Sequence, residues 1–267
     1  MEAVEVCWLM ICICLAGTLV YSEGSPLGHL SLSLTAKSFL MGGIVAASTF
    51  LIIRSPFGRR SGAHLNPAIT LAYLWLDRIH RWDALSYVAA QFLGGLAGVF
   101  LAYQILGHHL SAPPVLYVVT VPGEYGSAVA FLTEFLLSAL VMGVILFATN
   151  HRKLTRFSAL LVALITVFYY VVCPSISGFS VNPARSFSSA FFAWIWQGIW
   201  IYFAAPSLGM LAAAAVYMRS MEPRSVYCAK LFHDLSSICP FPCHFEELMT
   251  RVSVDDTSPR QPSAIRD

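Results

Sequence analysis

Apolar residues run along this chain in long uncharged blocks. Six of them, roughly 6–22, 36–53, 84–106, 128–149, 157–174 and 196–218, are candidate transmembrane helices. Most approach the ~20 residues needed to cross the hydrocarbon core of a bilayer. The first is short, and residues 1–5 carry Glu2 and Glu5 but no Lys or Arg. A secretory signal would open on a basic region, so this block reads as a retained first helix. Two further stretches, 66–76 and 182–194, are too short to span. From about 219 the pattern changes. Residues 226–235 and 244–252 show apolar spacing (Phe245, Leu248, Met249, Val252) that suits short amphipathic helices on a membrane surface or a neighbouring subunit. Residues 253–267 are polar, contain Pro259 and Pro262, and are expected to be disordered.

Composition agrees with the blocks. The chain is 57% apolar and 11% charged, against about 25% charged in soluble proteins. What charge there is sets topology. Arg54, Arg59, Arg60, Arg78 and Arg81 follow the second block; Arg152, Lys153 and Arg156 follow the fourth; Arg219, Arg224, Lys230, Arg251, Arg260 and Arg266 follow the sixth. In a six-span arrangement these 14 of the 16 Lys and Arg fall on one side. Positively charged loops stay cytoplasmic, so both termini are expected there, in a multi-pass protein of the cell membrane. The exceptions are Lys37, at the outer end of the second block, and Arg185. One integral domain, 1–218, followed by a cytoplasmic tail, 219–267, is the expected organisation.

The chain has three asparagines, and two of them stand in the same tripeptide. Ser61-Gly62-Ala63-His64-Leu65-Asn66-Pro67-Ala68 and Ser177-Gly178-Phe179-Ser180-Val181-Asn182-Pro183-Ala184 both read Ser-Gly-x-x-x-Asn-Pro-Ala, 116 residues apart. Each opens one of the short stretches with Asn at the N-cap and Pro at the first helical position, where a missing N–H costs nothing. The pattern predicts two half-helices that enter from opposite faces, and hence an inverted repeat of three spans plus a half-helix, about 6–106 and 128–218. Non-helical backbone at that depth survives only where protein buries it or water fills a cavity. The two amides should therefore meet near the midplane, each at the positive end of a half-helix. Arg185 directly follows the second motif. An Arg at membrane depth is expensive and marks a solute or ion path.

These residues, with Thr133-Glu134-Phe135 opening the fourth span, give a chain that resembles the aquaporin (major intrinsic protein) family over nearly all of 8–218. The resemblance implies an all-α membrane fold of six spans and two re-entrant half-helices, one pore per monomer, and a homotetramer. It implies that Asn66, Pro67, Ala68, Asn182, Pro183 and Ala184 orient water, the paired positive helix ends repelling protons and cations as is known for such pores. It places Phe179, Tyr170 and, by counting back from the first motif, about Val45 opposite Arg185 in a selectivity constriction. Phe179 fits glycerol-conducting members. Ser186 in place of an Asp after the Arg, the large Tyr170, Ala190 and the Tyr202-Phe203 pair fit water-selective ones. A passive water channel is the preferred expectation, with a facilitator of glycerol or other small neutral solutes and a closed-pore junction protein as the alternatives. The family usually has a bracing Glu in each half. Glu134 fits the second; in the first the matching register gives about Ile11, Glu5 being too early and Glu23 too late.

No catalytic constellation is visible: no Gly-x-Ser-x-Gly, no paired carboxylates, no phosphate loop. No enzyme activity, cofactor, metal or nucleic-acid partner is expected; water, small neutral solutes and the bilayer are. His64 is expected to line the path or be hydrogen-bonded, and His108 and His109 to be solvated. Cys7, Cys12, Cys14 and Cys173 lie in spans, which argues against a disulfide framework. Cys228, His233, Cys239 and Cys243 run C-x4-H-x5-C-x3-C. The ligand types suit Zn²⁺, but the spacing is not that of a standard ribbon and Pro240 and Pro242 crowd it, so plain thiols are expected, with lipidation as another possibility.

Overall fold

A computed structural model describes residues 1–30, 32–220, 226–233 and 239–250. The chain runs through α1 (Glu2–Tyr21), α2 (Leu34–Arg54), a short α3 (Pro56–Ser61), the half-helix α4 (Pro67–Trp75) and α5 (Arg81–Leu106). A connection containing α6 (His108–Ser111) leads to α7 (Gly126–Thr149), α8 (Ser158–Val172), a short α9 (Pro174–Ser177), the half-helix α10 (Pro183–Ala193) and α11 (Ile199–Ser220), with α12 (Phe245–Thr250) in the tail. Among the described residues six helices are long and apolar enough to cross a membrane, and both half-helices fall in the expected stretches. The first span begins at Glu2 rather than near residue 6.

The two halves repeat the same packing. α1 lies along α5 as α7 lies along α11, and α2 meets α8 between the halves. Gly94 on α5 and Gly209 on α11 make the close approaches possible. A Cβ on Gly94 would sit 2.2 Å from the Ala3 carbonyl oxygen, and one on Gly209 2.3 Å from that of Phe135. With lipid outside, helix association depends on such close packing rather than on a hydrophobic driving force. The outward faces carry Leu93, Ile105, Leu132, Leu164 and Trp200, all exposed and all apolar. His108 and His109 are exposed, as expected.

The tail departs from expectation. Residues 226–233 form no helix; they are buried, and they fold back into the channel domain rather than onto a membrane surface. The Leu231 N–H donates to the Gly62 carbonyl (3.0 Å), Ser158 Oγ donates to the Leu231 carbonyl, and Lys230 Nζ donates to the Arg59 carbonyl. Arg54 sits over the Phe232 ring at 4.2 Å, and the Tyr227 N–H donates to Asn150 Oδ1 (2.7 Å). The tail therefore meets the two basic stretches, one running from the end of α2 through α3 to Gly62 and the other joining α7 to α8. Within 244–252, Phe245–Thr250 form α12, whose Phe245 and Leu248 are buried against Tyr227 of the tail rather than laid on a membrane surface or a neighbouring subunit; residues 251 and 252, the disorder expected for 253–267 and the end of 226–235 lie outside the described residues. The tail also brings Cys228, His233, Cys239 and Cys243, expected as plain thiols beside a histidine, into one cluster. Burial alone would lower the His233 imidazole, but its hydrogen bonds with Cys239 and Cys243 push it up to about 9. Hydrogen bonds with Cys228 and Cys239 hold the Cys243 thiol far below the usual thiol range.

Candidate functional site

Asn66 and Asn182 cap their half-helices and also cross-link the two loops. Asn66 Oδ1 accepts from the Ala68 N–H (2.9 Å), and Asn182 Oδ1 accepts from those of Ala184 (3.0 Å) and Arg185 (3.4 Å). Asn66 Nδ2 donates to the Val181 carbonyl (2.7 Å), and Asn182 Nδ2 donates to the Leu65 carbonyl (2.8 Å). An amide carries two N–H donors. One from each asparagine is therefore fixed across the pseudo-twofold axis, and both residues line the same cavity.

The loops approaching them are held in strained conformations. Ala63, Leu65, Phe179 and Val181 all have positive φ, between 49° and 58°, a region that costs a non-glycine residue of order 1 kcal/mol or more. Buried carboxylates hold them there. Glu134 accepts from Ser177 Oγ (2.8 Å), the Ser180 N–H (2.9 Å) and the Val181 N–H (2.7 Å). In the first half, Glu2 accepts from the His64 N–H (2.9 Å), the Leu65 N–H (2.8 Å) and Gln91 Nε2 (2.7 Å), while Ser61 Oγ donates to Glu5 (2.7 Å). The brace expected near Ile11 is thus Glu2, assisted by Glu5. Tyr87 and Tyr202 complete the symmetry, their hydroxyls donating to the Ser61 carbonyl (2.8 Å) and the Ser177 carbonyl (2.7 Å).

Val45, Tyr170, Phe179 and Arg185 line the same cavity as the asparagines. The Phe179 ring stands edge-on to Tyr170 with centroids 4.8 Å apart. Arg185, in the first turn of α10, is buried, and its Nη1 has no hydrogen-bond partner among the described residues. A free guanidinium donor beside two aromatic rings can bind a polar solute's oxygen and repel a cation. His64 also lines the cavity; its Nδ1 pairs with Thr70 Oγ1 (3.0 Å) and its Nε2 with the Ala229 carbonyl (3.0 Å). Leu231 of the tail forms part of the same wall.

The family model for major intrinsic proteins matches residues 6–217. The chain belongs to that family. As a major intrinsic protein it is an integral, multi-pass membrane channel for water or small solutes, and not an enzyme. It is 30% identical to an aquaporin Z of Bradyrhizobium diazoefficiens, over 84% of this chain and 94% of the relative. It is 35% identical to a glycerol uptake facilitator protein-like 6 of Lactiplantibacillus plantarum, over 59% of this chain and 74% of that one. Its fold matches that of the aquaglyceroporin from Plasmodium falciparum with a TM-score of 0.66 at 18% identity, covering 84% of this chain and 96% of that one. The described tail lies beyond the residues the family model matches. The structure brings Asn66, Asn182 and the four expected filter residues to one cavity, and adds Glu2, Glu5, Gln91, Tyr87 and Leu231, which the sequence pattern did not single out for the site. Gly94 and Gly209 meet the carbonyls of Ala3 and Phe135, and each of those directly follows its bracing glutamate.

Proposed function

We propose that this channel conducts water passively and excludes protons and ions. The observation that carries the reading is the pair of amides. Each asparagine spends one N–H on the opposite loop, which leaves its second N–H for the cavity, at the positive end of a half-helix. A water whose oxygen accepts from both donors cannot readily accept a proton along the file. Arg185, Phe179, Tyr170 and Val45 form the selectivity constriction, and the free Nη1 of Arg185 supplies its hydrogen bond and its positive charge. Residues 1–218 are the channel domain and 219–267 its tail. Both termini are cytoplasmic in the cell membrane, because the basic loops and the tail share one face. The chain assembles as a homotetramer, by analogy with its family.

Passage of glycerol is the second reading, favoured by the edge-on Phe179–Tyr170 corner facing a guanidinium, an arrangement that can seat a carbon backbone on one side and bind hydroxyls on the other. Stopped-flow light scattering on proteoliposomes separates the two. Fast shrinkage in an impermeant osmolyte without re-swelling in glycerol supports the water reading. Re-swelling that widens in Arg185→Val supports the second. Traces that match empty liposomes in both solutions contradict both and favour a closed pore.

A further inference from the structure

We propose that Cys228, His233, Cys239 and Cys243 bind one Zn²⁺ ion, which fastens the tail across the mouth of the channel on its basic face. Three thiols and one imidazole place their ligand atoms within 4.8 Å of one another. Cys228 Sγ lies 3.4 Å from Cys239 Sγ, and His233 Nε2 lies 3.1 Å from Cys243 Sγ. Zinc–sulfur bonds of about 2.3 Å and zinc–nitrogen bonds of about 2.0–2.1 Å give a tetrahedron with edges of about 3.8 Å between sulfurs and about 3.6 Å between nitrogen and sulfur. The four atoms need only small movements to match it.

The prolines that crowd the sequence bracket an anchor of the site. Pro240 and Pro242 flank Phe241, whose ring stacks on His64 with centroids 5.6 Å apart and an interplanar angle of 5°. On either side of that anchor, Cys239 Sγ faces Cys228 and Cys243 Sγ faces His233. On the other side the His233 ring stacks on Phe245 at 4.1 Å. Soft thiolates with one imidazole select zinc over calcium or magnesium. A disulfide would use only two of the three thiols and leave the histidine unexplained.

The segment needs such a cross-link. Among the described residues, 226–250 contains a single six-residue helix, α12. It nevertheless buries Val226, Tyr227, Ala229 and Leu231, and carries Leu231 into the wall of the pore cavity. An irregular chain with so little regular structure gains folding free energy directly from a structural metal.

The test is metal analysis of the full chain, purified in detergent with a non-thiol reductant, together with replacement of the metal by Co²⁺. The expected results are about one zinc per chain that survives dialysis, and a tetrahedral cobalt spectrum with a thiolate charge-transfer band. Both should be lost in Cys239→Ser/Cys243→Ser and kept in Cys12→Ser. In the wild type, chelation should convert Cys228 from protected to reactive towards an alkylating agent, a readout that does not depend on how a variant folds. No stoichiometric metal, iron or copper in place of zinc, an octahedral cobalt spectrum, or a Cys228–Cys239 disulfide would each overturn the assignment. None of these readings depends on what the pore conducts.

Discussion

Replacing Glu134 by Gln tests the bracing of the strained loop. The carboxylate accepts three hydrogen bonds, from Ser177 Oγ, the Ser180 N–H and the Val181 N–H. The glutamine oxygen can retain the first two, at neutral rather than charge-assisted strength, a loss of about 1 kcal/mol each. Its amide nitrogen then faces the Val181 N–H, donor against donor, which strands a buried group at a cost of about 1–3 kcal/mol. Burying a neutral amide in place of a carboxylate returns part of this. The net loss is about 2–3 kcal/mol, or a fall in Tm of roughly 4–12 °C for a protein of this size. Differential scanning fluorimetry in detergent measures it. Water permeability should fall in parallel, because Phe179 and Val181 hold positive φ only while their neighbours are tied down. Glu2→Gln should behave similarly, since Glu2 also accepts three bonds. Glu5→Gln should lose far less, because among the described residues Glu5 holds Ser61 alone and its second oxygen has no partner. Equal effects at Glu5 and Glu134, or an unchanged Tm in Glu134→Gln, would refute the reasoning.

Three other perturbations follow from the same geometry. Arg185→Val removes a charge that opposes a cation at 5 Å by about 3 kcal/mol at an effective dielectric of 20, so proton or cation leak across proteoliposomes should rise roughly a hundredfold. Gly209→Ala drives a Cβ to 2.3 Å from the Phe135 carbonyl oxygen and should cost about 1–3 kcal/mol, read as a lower Tm, while Gly143→Ala, whose Cβ meets nothing within 4 Å, should leave it unchanged. Truncation after Ser220 removes Leu231 from the cavity wall and the Ala229 carbonyl from His64, so water permeability per channel should rise; an unchanged rate would show that the tail does not narrow the path.

What could be read in the sequence was what is locally encoded. Asn66-Pro67 and Asn182-Pro183 announce their half-helices because cap and first-turn chemistry needs no distant partner, and the spans follow from uncharged length. The proposed constriction is legible only in part. Arg185 stands out by its cost at depth, but Val45, Tyr170 and Phe179 look like ordinary apolar positions until the fold brings them around one cavity. Glu2 was hidden because it stands in the first turn of α1, whereas Glu134 is the ninth residue of α7. The tail was misread for a related reason. Its buried run from Val226 to Phe232 has apolar spacing compatible with an amphipathic helix, and what decides against one is the carbonyl of Gly62, 169 positions before Leu231.

The most direct test of the central claim is water permeability and proton flux recorded on the same wild-type proteoliposomes, the first by stopped-flow light scattering and the second with an entrapped pH dye. The expected result is osmotic shrinkage well above empty liposomes with proton flux indistinguishable from them. Water and protons passing together would contradict it, because the paired amides of Asn66 and Asn182 would then not interrupt the water file.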